Sequence, residues 1–190
     1  MNPIFAAALE IQEFCVARQF RFCFIGGLAV QRWGEPRLTV DVDLTLLTGF
    51  GAEESFVDAL LGAFRARRAD ARAFALRYRV LLLESSGSIP LDISLGAMPF
   101  EERTVARASG FEVETGSSLT TCSAEDLIVH KVFADRAQDW LDVEGIAIRQ
   151  SGRLDEALIG AELRPLLALK GTPEAEERLQ GLLRAARRGG

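Results

Sequence analysis

Apolar residues along this chain change period several times, and each change marks an element. Asn2-Pro3 supplies a capping side chain and then a residue whose φ is already helical. Ile4, Phe5, Ala8, Leu9 and Cys15 recur near helical spacing behind it, which predicts a helix ending near Arg18. Residues 21–25 are apolar and run into Gly26-Gly27, the mark of a short strand, and residues 28–33 read as a short helix stopped by Gly34. Residues 37–47 alternate apolar and polar with β-branched members, the period of a half-buried strand. Phe56, Leu60, Leu61 and Phe64 fall on one face of a helix predicted over residues 53–68. Residues 73–83 and 89–95 read as strands joined by the hairpin-like stretch 84–88, and residues 112–121 as one or two short edge strands.

Ser123 changes the pattern. Asp126 follows it at the spacing of a capping box, and the rest of the chain is helical in period, punctuated by Gly152, Pro165 and Gly171-Thr172-Pro173. The expected fold is therefore α+β: a mixed sheet with flanking helices over residues 1–122, then a C-terminal helical region over residues 123–190. A chain of 190 residues buries enough apolar surface to need no disulfide or structural metal.

Composition narrows the function classes. The three cysteines (Cys15, Cys23, Cys122) are scattered, and His130 is the one histidine, so no zinc-ligand spacing exists and structural roles are expected for all four. No apolar run approaches the roughly 20 residues of a membrane span. Met1-Asn2-Pro3 does not open a signal peptide, so a cytoplasmic protein without a membrane partner is expected. A net charge of −5 excludes a general nucleic-acid binder. Six arginines between Arg65 and Arg79 form a local exception, either a solvated face or the electrostatic footprint of an RNA acceptor.

The chemistry concentrates in residues 24–44. Asp41 and Asp43, two apart on the predicted strand, project together, and two such carboxylates repel each other unless a cation lies between them. Magnesium, or manganese in its place, suits hard oxygen ligands and leaves positions for water and phosphate. Gly26 and Gly27, before a helix, offer close backbone approach and N–H groups to a triphosphate. Asp92, in Leu91-Asp92-Ile93-Ser94, would complete a two-metal site. Arg37 would steady a phosphate or cap the turn of the metal strand. Further on, Lys131, Asp135, Asp139 and Asp142 fall within about 80° of arc if one helix carries them. They are either a solvated helix face or, with two lysines against twenty arginines, a site in which Lys131 is wanted for its compact ammonium and has a nucleotide or phosphate role, with Asp139 also at the nucleotide.

The order strand, Gly26-Gly27, short helix, Asp41-x-Asp43 strand, later Asp92 strand resembles the DNA polymerase β-like nucleotidyltransferase superfamily. Gly26-Gly27, where other members have Gly-Ser, looks like the variant of tRNA-nucleotide-adding enzymes and forgoes a serine hydroxyl contact to phosphate. Gly-Gly followed by Arg37-x-Thr39-x-Asp41-x-Asp43 is most similar to the AbiEii-type toxins of type IV toxin–antitoxin systems. Asp126-Leu127-Ile128, Lys131, Arg136 and Asp139-x-x-Asp142 add a second match, so the resemblance spans residues 21–146. It implies a metal-dependent transfer of a nucleotide from an NTP to a hydroxyl acceptor. Asp41, Asp43 and Asp92 would hold metal, with Lys131 beside them in catalysis. Gly26, Gly27, Arg37, Thr39 and Asp139 would bind nucleotide. It also implies an antitoxin protein as partner and tRNA or a protein as acceptor. A small-molecule (aminoglycoside-like) nucleotidyltransferase and a catalytically inactive nucleotide-binding module are the alternatives.

Overall fold

The computed structural model describes residues 2–189. Packing divides them into two compact units: the chain up to Leu28 with Leu38–Cys122, and Ala29–Arg37 with the chain from Ser123 onward.

The first unit is built on a sheet of strands β1 (Phe22–Phe24), β2 (Val42–Leu47), β3 (Arg65–Ala66), β4 (Val80–Glu84), β5 (Pro90–Gly96), β6 (Ser109–Glu114) and β7 (Ser117–Thr121), ordered β3-β4-β5-β2-β1-β7-β6. The β2–β5 and β1–β7 pairs are parallel and the others antiparallel, so the sheet is mixed, as the sequence predicts. Along β2, Val42, Leu44 and Leu46 are fully buried on one face, and Leu91, Ile93 and Leu95 of β5 lie beside them in register. Helix α1 (Pro3–Ala17) covers that face with Ile4, Ile11 and Cys15. It starts as predicted, with Asn2 Oδ1 accepting from Ile4 N at 2.9 Å and Pro3 in the first turn.

Four predicted elements of this unit are corrected. The strand over 37–47 begins only at Val42, leaving Asp41 in a bend before it. The helix over 53–68 is α3 (Glu53–Leu61), after which the chain enters β3. Residues 73–78, read as strand, belong to helix α4 (Ala71–Tyr78): Ala71 and Ala75 are buried one turn apart, and Ala, Leu and Arg favour helix. The hairpin strand proper starts at Val80. Helix α2 (Gly26–Trp33) begins at Gly26 itself, two residues earlier than predicted. Helix α5 (Pro99–Arg107) completes this unit.

The second unit is helical: α6 (Ala124–Ala134), α7 (Ala137–Arg149), α8 (Glu156–Lys170) and α9 (Glu174–Gly189). Ser123 Oγ caps α6 by accepting from Asp126 N at 3.1 Å, as expected from the spacing. Helix α6 packs on α7 and α8, and α9 on both, around Leu127, Ile128, Trp140, Val143, Ile146, Leu163 and Leu179, each at most 4% exposed. The latter half of α2 joins them, since Arg149 Nη1 donates to Gly34 O at 2.6 Å and Gln150 Nε2 to Trp33 O at 2.9 Å. Pro165 does not interrupt α8. It and Ala161, whose carbonyl loses its i+4 partner, are both exposed residues. Among the described residues no helix is long and apolar enough to cross a membrane.

Leu44 lies in the middle of β2 with no exposure. Leu44→Ala should cost about 2–5 kcal/mol, read as a lower urea midpoint at unchanged slope. Val16→Ala, at a position 62% exposed, should stay within about 0.5 kcal/mol of the parent.

Candidate active site

The parallel pairing of β2 and β5 sets Asp43 directly opposite Asp92. Burying the apolar set of both strands turns both carboxylates to the other face of the sheet. Ile25 N donates to Asp43 O at 3.0 Å, which holds the end of β1 and the start of α2 against the same residue. Gly26 has φ +58, and a Cβ built on it would overlap Asp43 Oδ2 and lie 2.7 Å from Asp43 Cγ. A Cβ on Gly27 would come within 2.7 Å of Thr39 Cβ. Both glycines are therefore required by space, and Gly26 by backbone conformation as well.

Thr39 is buried, and its hydroxyl lies 3.1 Å from Asp41 Oδ1, within donating distance. This bond orients a carboxylate that the backbone alone does not place on β2. Asp41 is close enough for its charge to act on Asp92. Burial pushes the Asp92 carboxyl above its ordinary range; Arg67 opposes the rise and Asp41 adds to it. Arg67 Nη2 donates to Asp92 Oδ1. Among the described residues, no three His, Cys, Asp or Glu side chains converge as a ready metal cluster.

A second cluster of predicted residues sits within the helical unit. Asp135 ends α6 in the left-handed conformation, φ +62, so Lys131 and Asp139 lie on different helices. The single helical face expected for Lys131, Asp135, Asp139 and Asp142 does not exist. Asp135 turns to Trp140 instead, accepting from its Nε1 at 2.6 Å. The other three still meet, because α7 folds back on α6. Lys131 Nζ donates to Asp139 Oδ1 at 2.9 Å and pairs with Asp142 Oδ2 at 2.8 Å, all three side chains being at most 7% exposed. Arg37 holds Asp142 in a fork, Nε to Oδ1 at 2.8 Å and Nη2 to Oδ2 at 3.0 Å, and Gln138 Nε2 adds a bond at 3.1 Å. Arg136 grips Asp139 through Nε at 2.6 Å.

Burial alone would raise both carboxyls. Hydrogen bonds from Arg37 and Lys131 outweigh it at Asp142, which falls to about 2. Those from Arg136 and Lys131 hold Asp139 below its ordinary range. Arg37 is thus a ligand of Asp142, a partner invisible at a separation of 105 residues. Burial drives neighbouring His130 down to about 4, against the pull of Asp126.

The arginine stretch is largely neutralised within the protein. Arg65 pairs with Glu84, Arg67 with Asp92, Arg68 with Asp70, Arg72 with Glu54 and Asp58, and Arg79 with Glu53. Arg77 lies over the Tyr78 ring. Sequence reading placed Arg67 only in the arginine stretch and missed its pairing with Asp92, because nothing in the residues around it announces the two-residue edge strand that precedes it.

Residues 16–188 match the model of the family described as nucleotidyl transferase AbiEii toxin, type IV TA system. A search of curated protein sequences found no match. Among solved structures, an antigenic nucleotidyltransferase-like protein from Paracoccidioides brasiliensis superposes with a TM-score of 0.54 at 15% identity, covering 94% of this chain and 92% of that one. The antibiotic-resistance factor ANT(2'')-Ia, in its solution structure, gives 0.52 at 18% identity, with 92% and 96% covered. At such identities the likeness is one of fold.

Two expectations follow from this geometry. Gly26→Ala should displace the Asp43 carboxylate and strain the backbone by about 1–2 kcal/mol, so thermal unfolding should show a loss of stability. Acid should act in two stages. His130 has a folded pKa of about 4 against 6.5, so the unfolded chain takes up its proton first and stability falls from about pH 6.5 to pH 4. Asp142, at about 2 against 3.8, contributes stability present above pH 3.8 and lost as pH falls towards 2. His130→Gln should flatten only the first stage of a chemical-denaturation series against pH, and Asp142→Asn only the second.

Proposed function

Because the chain belongs to the AbiEii family of nucleotidyl transferases, we propose that it transfers a nucleotide from an NTP to a hydroxyl acceptor, with a divalent cation held by Asp41, Asp43 and Asp92. The observation that carries this reading is the in-register pair Asp43 and Asp92 beside the side-chain-free backbone of Gly26. The donor set fits the cation: three carboxylates, hard and anionic, two on neighbouring strands and the third steadied by Thr39. Magnesium or manganese bound there would neutralise phosphate charge and favour ionisation of the acceptor hydroxyl.

The chain's own groups supply the rest. Gly26 and Gly27, at the start of α2, present backbone N–H groups where no side chain fends off a triphosphate. Asp92, its carboxyl raised by burial, is suited to accept the hydroxyl proton as the oxygen attacks the α-phosphorus in line and pyrophosphate leaves. Positioning and charge compensation carry most of the rate. Lys131 and Asp139 belong to the reading as a preformed ion cluster, in which Asp139 and Asp142 fix the ammonium and Arg37 fixes Asp142. Replacing Lys131 leaves two buried carboxylates short of a partner, so its test begins with stability.

The family description names a toxin of a type IV system, and a cognate antitoxin is accordingly the expected protein partner, in the cytoplasm. The acceptor is RNA, tRNA included, or a protein. A small-molecule acceptor has the fold likeness to ANT(2'')-Ia in its favour and nothing more specific. The presence of all three aspartates, Asp41, Asp43 and Asp92, in the sequence argues against an inactive binding module.

Incubation with each labelled NTP, magnesium and total cellular RNA or protein identifies the nucleotide and acceptor by what becomes labelled. In calorimetry with manganese and a non-hydrolysable NTP, Asp41→Asn and Asp43→Asn should weaken binding by about tenfold or more, with the fold intact. Asp92→Asn should hold nucleotide within a few-fold yet lose transfer by orders of magnitude, as for a group acting in the transition state. Parent-like binding by both of the first two variants would sink the metal assignment.

A further inference from the structure

We propose that Arg67 is the resident counter-cation of the acidic cluster, holding Asp92 until a divalent cation displaces it. The inference rests on the assignment of Asp41, Asp43 and Asp92 as cation ligands. Its evidence lies in the register of the sheet. Arg67 follows β3 immediately, and its backbone N donates to Leu82 O at 3.1 Å, continuing the β3–β4 ladder by one residue. Leu82 stands opposite Asp92, and Asp92 opposite Asp43. Arg67, Leu82, Asp92 and Asp43 thus occupy one rung across four consecutive chain segments, and their side chains share the face away from the α1-covered core.

Other arginines of the same stretch end on acids outside this rung: Arg65 on Glu84, Arg68 on Asp70, Arg72 on Glu54 and Asp58. Arg67 alone among these four reaches Asp92. Its anchorage is slight, because β3 has two residues and lies at the edge of the sheet. The ion pair is itself reversible in water, its two side chains being 30% and 35% exposed.

A guanidinium on Asp92 offsets the repulsion Asp92 meets from in-register Asp43 and from Asp41, which is the service a divalent cation would render more strongly. Both serve the same charge, so each opposes the other's binding, and the opposition is reciprocal. Arg67 is therefore a positioning residue for Asp92. It keeps the carboxylate oriented and compensated in the absence of metal and makes metal entry conditional on its own withdrawal.

Manganese alone, without nucleotide, is the probe, with free Mn2+ followed by electron paramagnetic resonance. Arg67→Met should bind Mn2+ about fivefold more tightly than the parent, the scale of a partly exposed ion pair. Arg67→Gln, which keeps a polar head without charge, should do the same and covers the case in which methionine perturbs the edge strand. Arg67→Lys should resemble the parent, since the cation is retained. Arg65→Met removes an equal charge from the same strand edge and should stay within about twofold of the parent. If neither Arg67→Met nor Arg67→Gln gains affinity while Asp43→Asn loses it, Arg67 is no counter-cation and the proposal is overturned with the metal site intact. Equal gains from Arg65→Met and Arg67→Met would reduce the effect to net charge and overturn it as well. If Asp43→Asn binds Mn2+ like the parent, the carboxylate assignment beneath the proposal fails.

Discussion

The alternation of a strand is the constraint from which this molecule's chemistry descends. Val42, Leu44 and Leu46 must face the core, as must Leu91, Ile93 and Leu95, and in a pleated strand this leaves the intervening residues no choice of side. Parallel pairing at the observed register then sets Asp43 beside Asp92. A slip of one residue would turn apolar side chains to water and carboxylates to the core, so the apolar burial that stabilises the sheet also fixes the spacing of its acids. Like charges are brought together by a force that has nothing to do with charge. What offsets their repulsion is local: the Thr39 hydroxyl at Asp41 and the Arg67 guanidinium at Asp92.

The helical unit solves the opposite problem. There the charges are buried and must be matched, and the match is made by geometry between helices. Lys131 at the end of α6 meets Asp139 and Asp142 of α7 because Asp135 breaks the helix between them. An aspartate in the left-handed region is tolerated more readily than most side chains, and Trp140 secures it through its indole N–H. The turn therefore creates the ion cluster that a continuous helix would have spread along its length.

Much of this was legible in the residues. The α+β class, the caps at Asn2 and Ser123, the strand carrying Asp43 and the strand carrying Asp92 all follow from period and capping chemistry, which are local. The family followed from Gly26-Gly27, Asp41-x-Asp43 and the later aspartates taken together. Where reading failed, tertiary context decided. Residues 73–78 are read together with the strand that follows them, yet Ala71 and Ala75 supply a narrow helical stripe that suffices once there is something to pack against. Lys131, Asp139 and Asp142 were grouped correctly on a helix that does not exist, since periodicity carries no information about a reversal at Asp135. Arg67 and the partnership of Arg37 with Asp142 join residues 25 and 105 positions apart. No local pattern encodes such pairs.

The chain leaves the sheet unit after Leu28, contributes Ala29–Arg37 to the helical unit, and returns at Leu38. The helical unit is thus assembled from two stretches separated by more than eighty residues of sheet. A protease cutting after Cys122 would sever the visible junction and still fail to release that unit whole. The C-terminal fragment would lack the segment that carries Arg37, the fork on Asp142, and the carbonyls of Trp33 and Gly34 that Gln150 and Arg149 hold. The two halves of this molecule are therefore inheritable only together: recombination at one point in the gene cannot trade either of them for another.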